Sequence, residues 1–165
     1  MLTRLIDPKK IRAFFTLAAY LLLTLLLQSL LFSGFEFFGC KGFILPAAAV
    51  AAGIYLGGVK GAVFGLFLGL FADMSFAETT VLFTLIMPII GFGAGFGSEF
   101  YINKSFFAYM IFAGIALLLT ALMQLLCSMV IYGAELIPGL LTALLQTALS
   151  LIPAALLYLP FRNKL

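Results

Sequence analysis

Long apolar stretches, separated by short breaks of glycine, proline and charged residues, are the feature that most restricts how this chain can fold. A membrane-spanning helix needs about 20 apolar residues, so six of them use roughly 120 residues. The chain has 165 residues, of which 65% are hydrophobic and 9% are charged, whereas soluble domains are about 25% charged. The sequence therefore predicts an all-α integral membrane protein that forms a single transmembrane domain over residues 1–165.

About six transmembrane helices fit the pattern of apolar stretches and breaks. The predicted spans are residues 13–32, 43–56, 61–72, 79–96, 106–131 and 136–159. The second and third spans are short for a straight crossing, so they are tilted, sunk among other helices or re-entrant. Pro46 lies in the first turn of its span, where the missing N–H is tolerated, and Pro88 lies inside the fourth span.

The basic residues predict how the spans are oriented, because cytoplasmic loops collect Lys and Arg. With six spans and both termini inside (N-in/C-in), eight of the nine basic residues fall on the inner side. These eight are Arg4, Lys9, Lys10, Arg12, Lys60, Lys104, Arg162 and Lys164, and the exception is Lys41. The positive charge is therefore a topology signal, and no basic run is long enough to follow a nucleic-acid backbone.

A ladder of small residues occupies every fourth position of the third span and the residues just before it. Its members are Gly57, Gly61, Gly65 and Gly69, with Asp73 one step further along and a second pair, Gly91 and Gly95, in the fourth span. Residues four apart share one face of a helix, and glycines there let another helix approach closely. The spacing leaves open whether that helix belongs to this chain or to a partner.

Asp73 is the only charged residue in the run "GAVFGLFLGLFADM". A charge at the centre of a bilayer costs about 2.5–3.5 kcal/mol on insertion scales, and less near the interface. We place Asp73 at the outer boundary, where three interpretations remain. It is a solvated acid that ends the helix, a cap for the start of the fourth span, or an acceptor for a donor on a partner.

Three glutamines lie at similar depth in three different spans: Gln28, Gln124 and Gln146. They form hydrogen bonds between helices, or they line a small polar cavity open to the outside. The chain has no histidine and two cysteines without a CxxC spacing, so we expect no metal, haem or other cofactor. No carboxylate pair, nucleophile–base pair or phosphate-binding loop is present, and the sequence predicts a protein that is not an enzyme.

The segment from Pro46 to Phe107 resembles the rod shape-determining protein MreD family of bacteria. That family has a run of the form G-x-x-x-G-x-x-x-G-L-x-x-D, and here Gly61, Gly65, Gly69, Leu70 and Asp73 fit it. A second glycine-rich helix follows in the family, as it does here from Gly91 to Gly97. The rest of the chain matches only in hydropathy and length.

The resemblance implies a non-enzymatic subunit of the cell-wall elongation complex in the bacterial cytoplasmic membrane. Such a subunit binds the single-span protein MreC and helps to link the actin-like MreB to the peptidoglycan synthases. It also implies a fold similar to the six-helix substrate-binding subunits of energy-coupling-factor transporters. An alternative is therefore a substrate-binding subunit of a vitamin-type transporter, with the three glutamines as its pocket, and a further one is another small channel or carrier.

Overall fold

A computed structural model describes residues 8–34, 36–37, 40–75, 81–100 and 105–162. Within these ranges the chain is almost entirely helical. The helices are α1 (Pro8–Gly34), α2 (Leu45–Leu56), α3 (Gly58–Ser75), α4 (Leu82–Phe100), α5 (Phe106–Tyr132) and α6 (Leu136–Arg162). Two short strands, β1 (Glu36–Phe37) and β2 (Cys40–Lys41), pair antiparallel between α1 and α2.

Four of the helices in the described ranges, α3 to α6, are long and apolar enough to cross a membrane. Two shorter apolar helical segments accompany them, Leu17–Leu30 within α1 and the whole of α2. The described helices confirm the prediction of an all-α, multi-pass membrane protein. Each predicted span overlaps one helix, and the largest difference is at α1, which begins at Pro8.

The short helix α2 lies at the centre of the structure. Every residue from Phe43 to Ile54 is buried, and α2 contacts α1, α3, α4, α5 and α6. Its 12 residues extend about 18 Å at 1.5 Å per residue, well short of the roughly 30 Å hydrocarbon core. The short second span is therefore sunk among the other helices, and its many alanines let five neighbours approach it.

The helices α3 and α4 form the most extensive contact in the described structure. The buried face of α3 follows a helical repeat: Gly61, Phe64, Gly65, Leu68, Gly69 and Ala72. The opposite face exposes large apolar side chains, including Val63 and Leu66. In a membrane protein this second face lies against lipid, so the glycine-rich face is the one that the fold uses for packing.

The helices α5 and α6 form a hairpin that is packed at one end and exposed at the other. Gly133 ends α5 in the left-handed conformation (φ +64°), and its N–H bonds to the Met129 carbonyl. The packed end is the one far from this turn, where Tyr109 is fully buried and its hydroxyl donates to the Ala154 carbonyl at 2.8 Å. Between residues 122 and 146, by contrast, Ala143 is the single buried residue. We call residues 122–146 the turn half of the hairpin.

Candidate functional site

The glycine ladder is the contact surface between α3 and α4. A β-carbon on Gly65 would lie 2.8 Å from the carbonyl carbon of Met87, and one on Gly69 would lie 2.8 Å from that of Phe83. Real β-carbons essentially never approach another atom more closely than 3.0 Å. The backbones of α3 and α4 therefore touch directly, and only glycine fits at these two positions of α3.

The same contact continues on the side of α4. A β-carbon on Gly91 would lie 2.7 Å from the carbonyl carbon of Gly61, and one on Gly95 would lie 2.9 Å from the Gly53 carbonyl oxygen. No side chain separates these backbones, so α2, α3 and α4 approach one another more closely than larger residues would allow. In lipid, where apolar burial gives little reason for helices to associate, this backbone contact holds α2, α3 and α4 together.

Gly53 in α2 belongs to this contact, although the ladder predicted from the sequence begins at Gly57. A β-carbon on Gly53 would lie 3.0 Å from the Gly95 backbone nitrogen and 3.2 Å from the Gly91 carbonyl carbon. The signal was present in the sequence, since Gly53 is one step of four residues before Gly57. Because the chain breaks between α2 and α3, the single row of glycines in the sequence is divided between two helices.

Gly57 is the residue at that break, and it lies in a turn rather than on the packed face of α3. Its φ of +92° is in the region that favours glycine, and its N–H bonds to the Gly53 carbonyl at 3.0 Å. The predicted packing role at Gly57 is therefore replaced by a conformational one. Glycine serves both purposes, so spacing alone does not separate a packing position from a turn position.

Asp73 caps the start of α4. One carboxylate oxygen accepts the Phe83 N–H at 3.0 Å. The other accepts the Thr84 N–H at 2.8 Å and the Thr84 hydroxyl at 2.6 Å. The first turn of a helix has N–H groups without intrahelical partners and carries a partial positive charge. Of the three interpretations of Asp73, the structure therefore supports the second, a cap for the start of the fourth helix.

Gln28 bonds to the irregular backbone that leads into α2. Its amide Nε2 donates to the Gly42 carbonyl at 3.1 Å, and its Oε1 accepts the Ile44 N–H at 2.8 Å. On the other side, the Ser150 hydroxyl accepts the Phe43 N–H at 2.9 Å. Backbone that is not helical is tolerated at membrane depth only where protein groups satisfy it. Gln28 and Ser150 therefore hold the start of α2 inside the bundle.

The other two glutamines meet each other and not Gln28. The Gln146 Nε2 donates to the Gln124 Oε1 at 3.3 Å across α5 and α6, and both side chains are half-buried. The predicted cluster of three glutamines is thus two separate features. The reason is the irregular backbone from Gly42 to Ile44, which bonds to both ends of the Gln28 amide.

A cavity of about 340 Å³ lies between α1, α2 and α3. Its lining residues are Leu25, Gln28, Ser29, Leu45, Phe71, Ala72 and Ser75. No protein-family model, curated protein or solved structure matches the chain.

Proposed function

We propose that this chain is a non-enzymatic membrane subunit of the bacterial cell-wall elongation complex, of the MreD type, located in the cytoplasmic membrane. The observation that supports this proposal most is the unit formed by the run from Gly61 to Asp73. Its glycines seat α4 against α3, and its acid caps the same helix. The glycines and the acid of the motif that carries the resemblance thus all contribute to the contact between α3 and α4.

The proposed topology has six membrane-embedded helices with both termini inside, in a fold similar to the substrate-binding subunits of energy-coupling-factor transporters. Two contacts support the alternation of helix directions. The Gly57 turn lies beside Glu99 near the end of α4, and Asp73 near the end of α3 bonds to the start of α4. Lys60, next to the Gly57 turn, is exposed. Arg4, Lys104 and Lys164 of the charge pattern lie outside the described residues.

A partner helix must bind elsewhere than on the glycine ladder, because α4 and α2 already occupy it. The turn half of the α5–α6 hairpin is the surface that supports a lateral contact best. Its apolar side chains are exposed on nearly every side, and Gln124 and Gln146 are half-buried among them. An amide has two N–H donors and an acceptor oxygen, so the single bond between the two glutamines leaves hydrogen-bonding capacity for a polar side chain on another helix.

The proposed partner on this surface is a single-span protein of the MreC type. MreB and the peptidoglycan synthases would join through that complex, with the lipid bilayer around it and no nucleic acid involved. Little of the chain lies in the described parts outside the helices, which supports a subunit that acts by contact within the membrane. Its role would be to hold other proteins in place, without a reaction or a cofactor of its own.

The test is an affinity purification of the tagged protein from native membranes in mild detergent, read by mass spectrometry. The proposal expects a single-span coiled-coil protein together with peptidoglycan synthases. The same experiment on a Gln124→Leu, Gln146→Leu variant should lose the single-span protein. Recovery of paired ATPases with a long-helix membrane subunit would overturn the proposal.

The second candidate function is a substrate-binding subunit of a vitamin-type transporter. The observation that favours it is the cavity beside Gln28, because its volume of about 340 Å³ lies at the lower end of the range for small-molecule sites, about 300–1,000 Å³. Against it, Gln28 already bonds to Gly42 and Ile44, and Gln124 and Gln146 do not line the cavity. Uptake of a labelled vitamin that depends on this chain would establish the transporter function.

A further inference from the structure

The cavity between α1, α2 and α3 changes from polar to apolar along the direction of the helices. Ser75 is the last residue of α3, and Ser29 lies close to the end of α1, so two hydroxyls and the Gln28 amide form one end of the cavity. Leu25 and Phe71 lie one helical turn further into the bundle, beside Ala72 and the first residue of α2, Leu45. The cavity is therefore polar toward the helix ends and apolar toward the membrane centre.

The walls of the cavity are open to the surface that faces lipid. α1 contacts α2 and α3 only sparsely in comparison with the contacts among α2, α3 and α4. On the rim, Ser29, Phe71 and Ser75 are exposed. A molecule already dissolved in the bilayer can therefore enter sideways, between α1 and α3.

The groups at the polar end suit an oxygen-rich ligand. The Ser29 hydroxyl is a donor and an acceptor, and the Gln28 Nε2 has a second N–H besides the one that bonds to Gly42. The Ser75 hydroxyl donates to the Phe71 carbonyl at 2.8 Å, so its oxygen is left to accept. These groups match ester carbonyls and hydroxyls, and the apolar end offers no polar partner.

We propose that this cavity binds one phospholipid, with the start of an acyl chain against Leu25, Leu45 and Phe71. The ester and glycerol oxygens lie at Ser29, Gln28 and Ser75. The polarity of the cavity runs in the same direction as that of one bilayer leaflet, on the side where α1 and α3 end. The lipid fills the gap that the loose contact of α1 leaves, and it ties α1 to α3. The proposal is independent of the elongation complex and of its partners.

The experiment is native mass spectrometry of the purified protein after reconstitution into vesicles of phosphatidylethanolamine and phosphatidylglycerol and extraction into mild detergent. The test variant is Ser29→Phe, which fills the cavity from an exposed position. The matched control is Leu26→Phe, which adds a phenylalanine to the exposed surface of the same helix outside the cavity. A second variant, Ser29→Ala with Ser75→Ala, removes the hydroxyls without filling the cavity.

The wild-type protein and Leu26→Phe should each retain one phospholipid, and Ser29→Phe should lose it. The double alanine variant should retain less than the wild-type protein, because the apolar contacts stay and the polar ones do not. Circular dichroism of every variant verifies that the helices are intact. The proposal is overturned if folded wild-type protein retains no lipid, if Ser29→Phe retains as much as Leu26→Phe, or if the retained molecule is a small polar compound.

Discussion

Gly65 and Met87 meet backbone to backbone, since a β-carbon on Gly65 would lie 2.8 Å from the Met87 carbonyl carbon. Neither backbone can move aside without displacing α3 or α4. Gly65→Ala should therefore lower the free energy of unfolding by roughly 1–3 kcal/mol or more, which is the usual cost of overpacking. Unfolding in mixed micelles with increasing SDS, followed by circular dichroism, measures this loss.

The matched control for Gly65→Ala is Gly93→Ala, on the exposed side of α4. A β-carbon on Gly93 would meet no heavy atom within 4 Å. Alanine is the better helix former by about 1 kcal/mol, so Gly93→Ala should leave stability unchanged or raise it. Equal losses for the two substitutions would contradict the direct contact between the α3 and α4 backbones.

Asp73→Asn should destabilise the start of α4. The carboxylate accepts three hydrogen bonds from Phe83 and Thr84, and an amide replaces one accepting oxygen with a donor that faces other donors. Loss of a helix cap costs about 0.5–2 kcal/mol, and loss of the charge near the helix N-terminus adds about 0.3–1 kcal/mol. The same SDS titration measures the change.

The control for Asp73 is Glu135→Gln, which removes an acid that is exposed in the turn between α5 and α6. Glu135 directly precedes α6, so its loss should cost no more than the roughly 0.3–1 kcal/mol of a charge near a helix N-terminus, which is less than the cost of Asp73→Asn. Complex recovery from the Asp73→Asn variant should fall only as far as the amount of folded protein falls. A fully folded variant that has lost its partner would instead make Asp73 a direct partner contact.

Gln28→Leu should destabilise the protein more than the same substitution at Gln124, because Gln28 is buried and Gln124 is only half-buried. It removes the donor to the Gly42 carbonyl and the acceptor of the Ile44 N–H. Each buried backbone group left unsatisfied costs about 1–3 kcal/mol. SDS titration of Gln28→Leu and Gln124→Leu side by side measures the difference, and equal stability would show that the bonds to residues 42–44 are not needed.

Gln124→Leu should have little effect on stability and a clear effect on partner recovery. Its bond to Gln146 is long, at 3.3 Å, and half-buried, and hydrogen bonds between membrane helices are worth about 0.6 kcal/mol on average. Stability should change by less than about 1 kcal/mol, while recovery of the single-span partner should fall. If partner recovery per folded protein stays at the wild-type level, the turn half of the hairpin is not the partner surface.

The helical class and the positions of the helices could be predicted because the apolar runs are long and the breaks contain glycine, proline and charge. Hydrophobic pattern is a local property, and it is read directly from the sequence. The i+4 spacing likewise identified Gly61, Gly65, Gly69, Gly91 and Gly95, each of which lies at a close backbone contact between helices.

The sequence could not separate the roles of chemically identical residues. Gly57 has the spacing of the ladder, but its positive φ becomes visible only where the chain turns from α2 into α3. Gln28, Gln124 and Gln146 are predicted to lie at similar depth, but their partners are set by the tertiary structure, such as Ile44 for Gln28. Contacts of this kind depend on the tertiary arrangement, and a local pattern carries no information about it.

The burial of α2 on every side sets the order in which the chain can assemble in the membrane. A 12-residue helix with irregular polar backbone before it is too short to enter a bilayer of about 30 Å as an independent span. It acquires partners for that backbone only when Gln28 of α1 and Ser150 of α6 are in place. The packing around the start of α2 is therefore complete only once α6 is in place, because the Phe43 N–H has its partner on that helix.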